Sequence, residues 1–135
     1  IIIANKTYVL LYFILVIIVR PNIPEELYKQ IDEKIYLDLE VHILNKRFTK
    51  AEKEGNNGFA TYIENLIIQT TNKRKEINDL LKNEGVKIFD PVADDDFVEY
   101  KFYQKKSGGI AEGSMRYWKP AMKLNLKNRM SVYWK

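Results

Sequence analysis

Along the first half of the chain, apolar side chains recur with the period of a helix. Leu27, Ile31, Ile35 and Leu39 lie four apart, and Leu37, Val41, Leu44 and Phe48 continue an adjacent stripe. An apolar face this broad belongs to a helix with neighbours on two sides. The spacing predicts a helix from about Pro24 to Glu54. Asn22 and Glu25 have capping-box spacing, with Asn in the usual Ser or Thr position. Glu25 and Glu26 then favour the positive end of the helix. The stretch EGNNG at 54–58 stops it, because Gly and Asn readily adopt turn conformations. A second helix is predicted from Phe59 to about Asn83. Phe59, Tyr62, Ile63, Leu66, Ile67, Ile77, Leu80 and Leu81 mark its buried side, and the polar TTNKRKE segment crosses an exposed turn. Gly85 suits the C-terminal cap, with Lys82 in the last turn. Two long helices joined by a short loop read as an antiparallel hairpin.

The period then shortens. VKIF at 86–89 and FVEYKFY at 97–103 alternate as strands do. Val98, Tyr100 and Phe102 share one face, while Glu99, Lys101 and Tyr103 take the other. DPVADDD makes the turn between them, and QKKSGGIAEGS reads as a flexible connector. A final helix is expected from about Trp118 to Trp134, with Pro120 early in it. Its apolar stripe is Trp118, Met122, Leu126, Met130 and Tyr133. The expected fold is mainly α: an antiparallel helical hairpin plus a short β-hairpin and a C-terminal helix. It forms a single domain over residues 21–135.

Residues 1–20 stand apart as an apolar leader. The uninterrupted run Tyr8–Val19 is shorter than the roughly 20 residues a spanning helix needs. Three readings stay open: a membrane anchor, an apolar strand or helix packed in the core or at an oligomer interface, and a segment foreign to the natural protein. As an anchor, the leader would leave the remainder in the cytoplasm, because Arg20 flanks its inner end.

Charge adds a second asymmetry. The net charge is +4, yet residues 101–135 hold nine Lys or Arg and one acid, Glu112. The preceding hundred residues hold 13 basic and 17 acidic groups. Such an imbalance hints at contact with a polyanion or a membrane, or at attraction between the two ends of the chain. The absence of Cys removes disulfides, thiolate chemistry and Cys-based zinc sites. It fits a reducing cytoplasm.

Candidate chemistry is sparse. KKSGGIAEGS lacks the spacing of either glycine-rich phosphate motif. Asp94, Asp95 and Asp96 lack the spacing of a calcium loop and read as a charged turn. His42 is the only histidine and reads as a partly buried structural residue hydrogen-bonded to Asp38. No triad, metal or cofactor signature emerges, so the expectation is a non-enzymatic chain without cofactor. The most suggestive pattern is Arg116, Lys119, Lys123 and Lys127. If the last helix extends through Arg116, these four share one face and could contact phosphates.

LLKNEGVKIF, DDDFVEYKFYQKK and LKNRMSVYW together resemble a group of small uncharacterised proteins of Bacillus-like bacteria. The resemblance covers the chain from about Pro24 onward. It implies a helical hairpin, a short aromatic-rich hairpin and a closing helix, in a cytoplasmic protein. It implies no catalytic residues, and the group usually lacks an apolar leader. The functional expectation is therefore a self-associating or partner-binding interaction domain. The alternative is a nucleic-acid-binding or regulatory protein using Arg116, Lys119, Lys123 and Lys127.

Overall fold

A computed structural model describes residues 23–134. The leader over 1–20 and Asn22 lie outside the described residues. Helix α1 spans Glu25–Lys53 and α2 spans Asn57–Asn83. Pro24, not Asn22, occupies the N-cap of α1, without a side-chain cap. Glu25 and Glu26 sit in its first turn, where they complement the helix dipole. Asn56 opens α2 by accepting a hydrogen bond from the Phe59 backbone N–H. Gly85 follows α2 with φ +74°, a conformation that disfavours side chains with a Cβ.

The helices run antiparallel. Leu44 packs near Ile63 and Leu66 beside the connecting turn, whereas Leu27, Ile31 and Ile35 share the opposite cluster with Leu81. Both predicted stripes of α1 are covered within the chain: Leu37, Val41 and Leu44 are buried along with Leu27, Ile31 and Ile35. The buried side of α2 is narrower than expected. Ile63, Leu66 and Leu81 are buried, but Phe59, Tyr62 and Leu80 are exposed. Thr70, within the segment expected on an exposed turn, is buried.

The β portion is a four-stranded antiparallel sheet instead of a simple hairpin. Its strands are β1 (Val86–Ile88), β2 (Val92–Ala93), β3 (Phe97–Lys106) and β4 (Gly109–Trp118). β3 is central. β1 and β2 pair in succession with one edge, and β4 pairs with the other over its whole length. The presumed connector is thus the end of β3, a turn at Ser107 and Gly108, and most of β4. Glycine content concealed the strand, although Ala111, Met115 and Tyr117 alternate inward as a half-buried strand requires. Gly113 completes that row: a Cβ there would meet Phe102 Cζ at 2.5 Å.

The inner face of the sheet carries Val98, Tyr100, Phe102, Met115 and Tyr117, which pack with the N-terminal half of α1. Helix α3 (Lys119–Met130) leaves β4 directly, and a 3-10 turn (Ser131–Trp134) follows. Leu126 touches both apolar clusters, so α3 runs from the sheet towards the α1–α2 turn. That course brings residues near the C-terminus to the middle of the hairpin.

Candidate interaction surfaces

Glu33, Tyr36 and Glu40 follow steps of three and four along α1, so they share one face. Arg129 on α3 meets all three. Its Nη1 and Nη2 donate to the Glu33 carboxylate at 2.8 and 2.9 Å. Its Nε and Nη2 donate to Glu40 Oε2 at 3.0 and 2.7 Å. Its guanidinium lies 5.2 Å from the Tyr36 ring centre. Tyr133 Oη donates to Glu40 Oε1 at 2.9 Å, and Thr70 Oγ1 lies 3.5 Å from the same hydroxyl. The buried Glu40 carboxylate is therefore saturated by one cation and one phenol. Hydrogen bonding to Arg129 holds Glu33 below the ordinary glutamate range, while the two carboxylates push the guanidinium pKa further up against its own burial. This cluster ties α1, α2 and the C-terminal segment together. With every group engaged by another, it is a clamp.

A second polar pair lies nearer the sheet. Tyr117 Oη donates to Asp32 Oδ1 at 2.6 Å. Burial raises Asp32 above the ordinary aspartate range, against the opposing pull of Tyr117 and Arg129. Burial and the neighbouring carboxylate push the Tyr117 phenol well up.

The four basic residues singled out in the sequence do not form one helical face. The strand β4 continues through Trp118, so Arg116 lies on the sheet, opposite Glu99 and with its guanidinium 4.1 Å from the Phe97 ring centre. Helix α3 starts at Lys119, which donates through Nζ to the Asp94 carbonyl. Lys119, Lys123 and Lys127 remain as an exposed row at steps of four. Beside Arg116, a cleft of about 240 Å³ is lined by Val92, Ala93, Asp94, Phe97, Glu99 and Arg116. Asp94 Oδ1 accepts from the backbone N–H groups of Asp96 and Phe97 at 2.9 and 2.7 Å, which holds its carboxyl below the ordinary range. The acidic run is thus folded back on its own backbone. His42 is exposed, and Asp38 pairs with Lys34 and Arg74 instead.

The sequence did not reveal the aromatic end of the hairpin. Phe59 and Tyr62 on α2 stack at 6.4 Å, and Trp134 lies 6.2 Å from Phe59. Arg47 on α1 places its guanidinium 4.3 Å from the Trp134 ring centre, and Tyr62 Oη donates to the Tyr133 carbonyl. Phe59, Tyr62 and Val132 remain 39%, 42% and 60% exposed.

Two long helices closed by a third and capped at one end by a small sheet define a mainly α domain with a short β part. The chain belongs to the YhjD protein family, whose model matches residues 22–135. No curated protein and no solved structure matches it. Among the described residues, no helix is long and apolar enough to cross a membrane.

Proposed function

We propose that this chain is a non-enzymatic protein-interaction domain that self-associates, in the cytoplasm of a Bacillus-like bacterium. The observation that carries this reading is the aromatic end formed by Phe59, Tyr62 and Trp134 beside Arg47, where Phe59 and Tyr62 stay exposed. Aromatic residues and Arg are enriched in the cores of protein interfaces. A patch holding both apolar rings and a cation can meet its own copy across a twofold axis. The apolar stripes of α1 are packed within the chain, which removes α1 as a reason for association and leaves this end as the support for the reading. Sedimentation equilibrium at tens of micromolar should show a dimer, which Phe59→Asp converts to a folded monomer. A parent protein that is already monomeric at those concentrations overturns the reading.

A second reading is polyanion binding along α3, favoured by the exposed row Lys119, Lys123 and Lys127. Arg116 would contribute from the adjacent strand, outside that row.

A further inference from the structure

The outer face of the sheet is not used by the apolar clusters. The register places Lys87, Tyr103 and Glu112 in one row across β1, β3 and β4. Phe89 continues β1 and donates its backbone N–H to the Lys101 carbonyl, which sets Phe89 beside Lys101 in the next row. Lys105 lies two residues beyond Tyr103 on the same face. Phe89 and Tyr103 meet edge to face at 5.7 Å, and Lys87 Nζ lies 5.5 Å from the Phe89 ring centre. Phe89 nevertheless remains 44% exposed, and all three lysines are exposed.

We propose that this face is a binding platform for single-stranded nucleic acid. Phe89 and Tyr103 offer ring surface to unpaired bases, and Lys87, Lys101 and Lys105 flank them to meet the backbone. Lys101 and Lys105 are spaced by roughly 13 Å at about 3.3 Å per residue, far enough to reach different phosphates of one strand. Glu99 and Glu112 share the face, but Glu99 accepts from Ser114 Oγ at 2.8 Å, and the cations of the face outnumber these two acids. Aromatic rings interleaved with lysines suit a strand whose bases are free to stack. A duplex has its bases already stacked on one another and offers none of their faces to exposed rings. This proposal is independent of self-association, because the aromatic end lies at the other end of the hairpin.

The test is fluorescence anisotropy of the full 135-residue chain with labelled single-stranded oligonucleotides, DNA and RNA, and with a duplex of the same sequence. Single strands should bind more tightly than the duplex. Log affinity should fall against log salt with a slope of about −2, as three phosphates are neutralised, one by each lysine. Phe89→Ala should weaken binding about tenfold through lost stacking. Lys101→Glu with Lys105→Glu should abolish it at unchanged circular dichroism, and these exposed positions keep the test sound if Tyr103→Ala fails to fold. Absence of binding at low salt overturns the proposal. So does equal affinity for the duplex, or binding abolished by Lys123→Glu with Lys127→Glu and untouched by the sheet variants.

Discussion

Arg129 Nη2 donates to Glu40 Oε2 at 2.7 Å, and the Glu40 side chain is only 3% exposed. Removing the guanidinium would leave a carboxylate stranded away from water, which costs far more than the net worth of the pair. Arg129→Met should destabilise the fold by about 3 kcal/mol, the lower end for buried pairs because the guanidinium itself is partly exposed. Arg129→Lys should recover only part of this, since an ammonium cannot fork between Glu33 and Glu40. Urea denaturation followed by circular dichroism measures both.

Asp32 and Glu33 are adjacent on α1, but burial raises the one and hydrogen bonding to Arg129 lowers the other. Glu33 is held below its ordinary range, so it contributes stability above the unfolded value and loses it as pH falls through the folded value. Asp32 is raised, so the folded state holds its proton more tightly. Stability then declines as pH rises from the ordinary aspartate value through the folded one. Comparing denaturation at about pH 3 and about pH 7, Glu33→Gln should become more destabilising at the higher pH. Asp32→Asn keeps an acceptor for Tyr117 and should shift in the stabilising direction over the same interval.

Gly113 faces the end of the buried Phe102 ring across the β3–β4 pair. Gly113→Ala puts a methyl group where the ring already lies and should cost about 1–3 kcal/mol, the usual range for overpacking. Phe102→Leu vacates that space. The double variant should therefore be more stable than the sum of the two single effects, a coupling that a double-mutant cycle reads directly.

Lys123 and Lys127 lie four apart on the exposed side of α3. Reversing both charges should destabilise the fold by only about 1 kcal/mol, most of it from Lys127, which lies in the last turn of α3 where the helix dipole favours a cation. Thermal unfolding of Lys123→Glu with Lys127→Glu checks this. A single cooperative transition at a modestly lower Tm leaves the same variant a clean probe of polyanion binding along α3.

The two long helices were legible because their apolar residues recur every three or four positions, and glycines mark their ends. Strand β3 was legible through the alternation of Val98, Tyr100 and Phe102. Strand β4 was missed because Gly109, Gly113 and Ser114 carry almost no hydrophobic contrast. Its pairing comes from the backbone register with β3 and from the need to leave room for Phe102. Once β4 runs to Trp118, Arg116 belongs to a strand, and the basic stripe loses a member.

The clamp lay further from view. Glu33 and Glu40 look like ordinary solvated acids on a helix, and Arg129 is one of many cations near the C-terminus. Local periodicity, helix ends and the direction in which side chains alternate could be read along the chain, because these depend on residues within a turn or two. Long-range packing alone brings α3 across the middle of the hairpin, carries Arg129 to two carboxylates some ninety residues away, and turns Phe59 and Tyr62 outward. Those outcomes depend on which apolar faces meet, a competition among distant segments that no local pattern records.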